Sequence, residues 1–178
     1  MTPCAVADTG TPPRVVVVMG PSGSGKTTTG RALADALGWP YLEGDDYHPA
    51  ANVAKMASGS PLDDADRAPW LATLERVIAG ILAEGGHAVL ACSALKRRYR
   101  AAMVPGDAPP CAVRFVYLAV PTAVLRNRLE HREHHYMPAA LLPSQLAALE
   151  PPAGSGLIVD GTLPPAEIVR TVRAALGL

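Results

Sequence analysis

The run Val15-Val16-Val17-Val18-Met19 leads without interruption into Gly20-Pro21-Ser22-Gly23-Ser24-Gly25-Lys26-Thr27, and no other stretch restricts the chain so tightly. Four successive valines predict a strand buried on both faces, which requires a parallel sheet covered on each side by helices. A helical pattern begins at Thr28, so the motif Gly-x-x-x-x-Gly-Lys-[Ser/Thr] stands between a strand and a helix, the context in which it carries meaning. Its glycines let the backbone curl until successive N–H groups point inward, and the positive end of the following helix lies behind them. Gly20, Ser22, Gly23, Ser24, Gly25, Lys26, Thr27 and Thr28 are therefore expected to hold a nucleotide's phosphates. Lys26 is expected to reach the β and γ phosphates and Thr27 to hold Mg²⁺. A glycine-rich turn that merely joins a strand to a helix is the alternative. A chance match to the full pattern in a chain this long is on the order of 1%.

The 178 residues fit one domain, expected over 14–178, with residues 1–13 forming a small, polar, proline-containing tail that reads as disordered. Sixteen basic residues balance sixteen acidic ones, so nothing global points to nucleic acid or to an anionic membrane surface. Any anion site must be built locally. The N-terminus has neither the basic start nor the apolar block of a signal peptide, and no apolar run approaches the roughly 20 residues that span a bilayer. Cys4, Cys92 and Cys111 show no metal-binding spacing and suggest no disulfide framework, which favours a reducing cytoplasm. Cys92 lies in an apolar strand and reads as core.

Beyond the first helix, which Gly38 should stop, a short strand at Pro40 to Glu43 is followed by Gly44-Asp45-Asp46-Tyr47-His48-Pro49. In an open α/β sheet the carboxyl ends of strands border the ligand site, so Asp45 is a candidate carboxylate there, with helix capping as the competing role. Residues 45–66 read as a substrate-binding insertion. Asp66 is expected to cap a long amphipathic helix from about Arg67 to Glu84, striped by Trp70, Leu71, Leu74, Val77, Ile78 and Ile81. Arg67 falls in its first turn, where the helix dipole disfavours a cation; a binding role would explain it there, with an ordinary surface arginine as the default reading. After the strand His87 to Cys92, a helix is expected from Ser93 to Arg100. Lys96 and Arg100, four apart, would share one face of it, and the strand-end location favours an anion between them over the competing reading of a solvated basic face.

A strand at Ala112 to Leu118 leads to a helix from Thr122 to His131, with Arg126, Arg128 and Arg132 near its end and a break at His134-His135-Tyr136-Met137-Pro138. A lid over the phosphates is expected at about 126–142. Its arginines would neutralise charge in the transition state of a phosphoryl transfer. The adjacent histidines lack a metal-ligand pattern. A last strand, Leu157 to Asp160, and a last helix complete an alternation of five strands with helices. The expectation is a three-layer α/β P-loop NTPase fold: a five-stranded parallel sheet, helices on both faces, and a helical lid.

Several of these segments together resemble the gluconokinase family. The shared pattern comprises the phosphate loop, then Gly44-Asp45-x-x-His48-Pro49, and Lys55-Met56-x-Ser58-Gly59-x-Pro61-Leu62-x-Asp64-x-Asp66-Arg67-x-Pro69-Trp70-Leu71. It continues with Cys92-Ser93-Ala94-Leu95-Lys96-x-x-Tyr99-Arg100, Met137-Pro138-x-x-Leu141-Leu142-x-Ser144-Gln145 and Leu149-Glu150-Pro151. The resemblance implies transfer from ATP to D-gluconate, giving 6-phospho-D-gluconate and ADP, with Mg²⁺, by a cytoplasmic homodimer. It implies that Asp45 orients or deprotonates the acceptor hydroxyl or binds Mg²⁺, two roles that the residues alone leave open. It also implies that Arg67, Lys96 and Arg100 take the sugar-acid carboxylate, that His48, Ser93 and His135 contact the substrate, and that Arg128 and Arg132 serve the phosphates. The family pattern has glycine where this chain has His134. Another small-molecule kinase, such as a shikimate-kinase-like enzyme, and a nucleotide-binding module without turnover are the alternatives.

Overall fold

Successive side chains of a strand face opposite sides, and β1 (Val15–Met19) uses both sides fully: each of its residues is completely buried. In the computed structural model, which describes residues 12–131 and 141–178, β1 is the middle strand of a five-stranded sheet. Val15, Val17 and Met19 pack against Trp70, Leu71, Leu74 and Ile78 of α3 (Asp64–Ala83) and Tyr99 of α4 (Arg97–Ala102). Val16 and Val18 pack on the other face against Leu33 of α1 (Lys26–Leu37) and Ile168 and Val172 of α7 (Pro165–Leu176). The valine run is thus the shared floor of two cores.

The remaining strands are β2 (Tyr41–Glu43), β3 (Ala88–Ala91), β4 (Val113–Ala119) and β5 (Leu157–Asp160). All pair in parallel in the order β2-β3-β1-β4-β5, with Val15 opposite Ala88 on one side and Val113 on the other. The expected three-layer α/β architecture is the one observed. Between the strands also lie a 3-10 turn over Gly44–Tyr47, α2 (Ala50–Ala57), α5 (Thr122–Glu130) and α6 (Leu142–Ala148). As expected, Gly38 ends α1 in the left-handed region, its N–H reaching the carbonyls of Ala34 and Asp35. Among the described residues no helix is long and apolar enough to cross a membrane.

Three local expectations are corrected. The cap of α3 is Asp63, not Asp66: Asp63 accepts from the Asp66 N–H at 2.9 Å while Asp66 accepts from the Asp63 N–H at 2.8 Å, a reciprocal box that starts the helix at Asp64. The helix after β3 begins at Arg97, not Ser93, because Ala94 adopts a left-handed φ of 43° and Lys96 is extended. Finally, Cys111 is disulfide-bonded, against the expectation of no cross-link, whereas Cys92 is a buried free thiol whose pKa is pushed up by that burial. Most of the expected N-terminal tail, residues 1–11, and most of the expected lid, residues 132–140 with Arg132, His134 and His135, lie outside the described residues.

Candidate active site

Loops at the carboxyl ends of the strands enclose a cavity of about 860 Å³. Its centre is the turn between β1 and α1. Gly20, Gly23 and Gly25 hold φ of 147°, 83° and 93°, a path that side-chain-bearing residues rarely follow. Gly25 caps α1, so the N-terminus of that helix opens into the cavity. Ser22 through Thr29 line it. Gln145 of α6 clamps the loop by accepting from the Ser22 N–H at 2.7 Å, and Lys26 Nζ donates to the Pro21 carbonyl at 3.0 Å. The Ser24 hydroxyl is buried and has no hydrogen-bond partner among the described residues. Such a group is costly unless a ligand meets it, and in this ring of backbone donors a phosphate oxygen suits it.

On the β4–β5 side, Arg128 of α5 bridges two loops, donating to the Gly23 carbonyl at 3.3 Å and to the Gly161 carbonyl at 3.1 Å. Gly161, Leu163, Pro165 and Ile168 continue the lining there. Arg128 therefore ties the phosphate loop to the loop after β5 at the cavity rim.

On the β2–β3 side, β2 ends in Glu43 and Gly44. A Cβ at Gly44 would fall 2.7 Å from the Ala91 carbonyl oxygen, so only glycine lets the chain pass this close to β3 and deliver Asp45 to the cavity. Glu43 is a residue that sequence reasoning missed. Its Oε2 accepts from the Thr27 hydroxyl at 3.0 Å and from the Tyr41 phenol at 2.6 Å, and it lines the cavity with Asp45 and Thr27. Burial pushes the Tyr41 phenol well above its usual range, with the Glu43 carboxylate adding to the effect, so Tyr41 remains a donor. Two carboxylates and a hydroxyl beside a phosphate loop form a hard-oxygen donor set suited to Mg²⁺.

His48 also lines the cavity, its Nε2 4.0 Å from Asp45 Oδ1 and its ring stacked on Trp70 with centroids 4.1 Å apart. Burial holds its pKa below the usual value, Asp45 pulling upward and Arg67 downward. Ser93 lines the same wall, and its carbonyl accepts from the Gly20 N–H at 3.3 Å.

The cations sort themselves unevenly. Arg67 and Lys96 line the cavity over the ring of Tyr99, at 5.5 and 5.3 Å from its centroid. Arg67 donates to the carbonyls of Leu62 and, at 3.2 Å, Asp63. Lys96 donates to Asp64 at 3.2 Å, and the same carboxylate accepts from Tyr99 and Arg98. Those contacts, the Tyr99 hydroxyl first, hold the Asp64 carboxyl at about 2. Arg100 is not brought to the cavity. It is buried and donates to the carbonyls of Ala94 and Leu95 at 3.0 and 3.1 Å, because the helix starts too late for it to share a face with Lys96. Arg100 braces the 93–96 loop from behind. Glu150 braces it too, donating its own N–H to the Leu95 carbonyl at 2.9 Å and accepting from the Arg97 N–H at 2.6 Å.

Comparison with known proteins agrees with this layout. A family model described as an AAA domain matches residues 15–152. The gluconokinase of Gluconobacter oxydans (strain 621H) is 53% identical over 143 residues, covering 80% of this chain and 79% of that protein. The crystal structure of a gluconokinase from Sinorhizobium meliloti 1021 superposes with a TM-score of 0.80 at 45% identity, covering 93% of this chain and 92% of that one. A shikimate kinase from Aquifex aeolicus, at 16% identity and a TM-score of 0.64 over 92% of this chain and 96% of that one, shares the fold alone. A phosphate loop at the centre of a 2-3-1-4-5 sheet, an acidic and cationic wall on one side of it, and this degree of identity place the chain in the gluconokinase family of P-loop kinases.

Proposed function

We propose that this protein transfers the γ-phosphoryl group of ATP to the primary hydroxyl of D-gluconate, yielding 6-phospho-D-gluconate and ADP. The observation that carries the reading is one cavity that joins the phosphate loop to Asp45 and His48 and to the cations Arg67 and Lys96, in a chain 53% identical to a gluconokinase. The nucleotide lies with its phosphates over Gly20 to Thr28 and its base toward Gly161 and Leu163. Lys26 swings from Pro21 onto the β and γ phosphates, where its charge opposes the negative charge of the transferring group. Thr27 and Glu43, with Asp45 through a water, would hold Mg²⁺, which would supply neutralisation of the phosphate charge. Asp45 accepts the proton of the attacking hydroxyl, and His48 and Ser93 orient the sugar chain. Arg67 and Lys96 take the carboxylate, Lys96 exchanging its Asp64 partner for the substrate. Arg128 steadies the nucleotide side, while Arg132 and His135 are proposed to act from the lid.

The same reading carries a homodimer and a cytoplasmic location. The location rests on the supply of ATP and not on the cysteines, since Cys111 is disulfide-bonded. The decisive experiment is an ADP-release assay on the purified protein with gluconate, shikimate and a nucleoside monophosphate. Turnover with gluconate is expected. Turnover with another acceptor and none with gluconate would overturn the reading, and ATP binding without turnover on any acceptor would make the chain a binding module.

A further inference from the structure

The ring of His48 is held on one face and at its Nδ1 edge, while its Nε2 edge turns toward Asp45 in the cavity. It stacks on Trp70 with the two planes 16° from parallel, and Trp70 is pinned by its own Nε1–H, which donates to the Gly44 carbonyl at 2.8 Å. The His48 side chain is only 4% exposed. Held this way, the ring sets Nδ1 3.4 Å from Asn52 Nδ2 and Nε2 4.0 Å from Asp45 Oδ1. Asn52 is buried, and its Nδ2 also donates to the Asp66 carbonyl at 2.8 Å. A backbone carbonyl has no proton to give, so the amide can turn only its NH₂ end that way. The second N–H of that group then faces His48 Nδ1, which becomes the acceptor. In a neutral imidazole one nitrogen accepts and the other donates, so the proton resides on Nε2, on the side of Asp45.

We propose that Asn52 is a positioning residue that sets His48 in its Nε2–H tautomer, so that His48 and Asp45 together read the acceptor as a hydroxyl. The proposal rests on the kinase reading above. At 4.0 Å the two groups are too far apart to bond each other. An oxygen about 2.8 Å from each can sit between them. A hydroxyl satisfies both at once, giving its proton to the Asp45 carboxylate and accepting from the His48 Nε2–H. With the proton on Nδ1, two acceptors would confront a group with one proton, and the oxygen would lose its aim. The charged groups facing His48 are Asp45 from the 3-10 turn and Arg67 from α3.

Asn52→Asp tests this, since it keeps the shape but replaces the NH₂ donor by an acceptor. The tautomer is read by long-range ¹H–¹⁵N NMR of histidine-labelled protein without substrate, and kcat and KM are measured with gluconate. In the wild-type chain His48 should show a bare Nδ1 and a protonated Nε2. In Asn52→Asp the new carboxylate should accept from a protonated Nδ1. At a pH high enough for the same spectra to show Nε2 bare, so that the ring is neutral and not an imidazolium, kcat should fall about 10- to 100-fold, the effect of one misplaced polar partner, with KM changed far less. Asn52→Ala should give mixed tautomers and an intermediate loss, and thermal melts report whether each variant folds. A wild-type ring protonated on Nδ1, or a shifted tautomer with unchanged kcat, overturns the proposal. If the tautomers are as expected but the wild-type chain leaves gluconate untouched, the tautomer assignment stands and the substrate reading is what fails.

Discussion

The Thr27 hydroxyl donates to Glu43 Oε2 at 3.0 Å, joining the end of the phosphate loop to the end of β2 through a residue that belongs to no motif. Because Tyr41 donates to the same oxygen, the carboxylate is held in place before any ion arrives. Glu43→Gln should therefore raise the Mg²⁺ concentration for half-maximal activity by about 10-fold, in keeping with the loss of a charged, pre-oriented oxygen from the metal's surroundings. A Mg²⁺ titration of ADP release checks this, and an unchanged midpoint would remove Glu43 from the metal's surroundings.

Lys26→Ala should lower kcat by about 100-fold or more, since a cation aimed at developing charge is lost where little water can replace it. The thermal midpoint should move far less than kcat, because the Pro21 carbonyl to which Lys26 donates belongs to its own loop. Steady-state kinetics beside a melting curve separate the two effects.

Lys96 and Arg100 should behave differently despite their spacing. Arg100→Ala strips donors from the buried carbonyls of Ala94 and Leu95 and should cost about 2–4 kcal/mol of stability, with the KM for gluconate little changed. Lys96→Ala should raise that KM and leave the fold intact. Denaturant titrations and KM values of both variants decide; a gluconate KM that rises in Arg100→Ala alone would return Arg100 to the binding wall.

The Asp64 cluster should show in acid. Its carboxyl titrates at about 2 in the folded chain against an ordinary 3.8, so folding favours the ionised form. That contribution is complete above about pH 4 and fades as the pH falls toward 2. Asp64→Asn should thus be less stable than the wild-type chain at pH 6, and the gap should narrow below pH 4. Urea midpoints at pH 6, 4 and 3 would show it; a gap that widened in acid would contradict the assignment.

The parts of the molecule that were legible in the sequence are those governed by short-range rules. Four adjacent valines call for two apolar faces, and the glycine–lysine–threonine spacing needs no distant partner to be meaningful. Glu43 gave no signal because its importance comes from Thr27, sixteen residues away in the chain and brought near only by β2 joining the sheet. Arg100 stands away from the expected cavity wall for the opposite reason. The rule that pairs residues four apart presumes a helix, and the left-handed turn at Ala94 delays that helix past Lys96. The start of α3 was missed by three residues because several acidic residues there compete as caps, and only the reciprocal bonds between Asp63 and Asp66 choose among them.

The strand order has a further implication. With β1 in the middle, the groups lining the cavity divide: Gly161, Leu163 and Arg128 stand toward β4 and β5, while Glu43, Asp45, His48 and Ser93 stand toward β2 and β3. Under the proposed reaction the two substrates approach from opposite halves of the sheet and meet only above its central strand. A kinase built this way can exchange one acceptor for another by rewriting a single half, leaving the machinery that grips the nucleotide untouched.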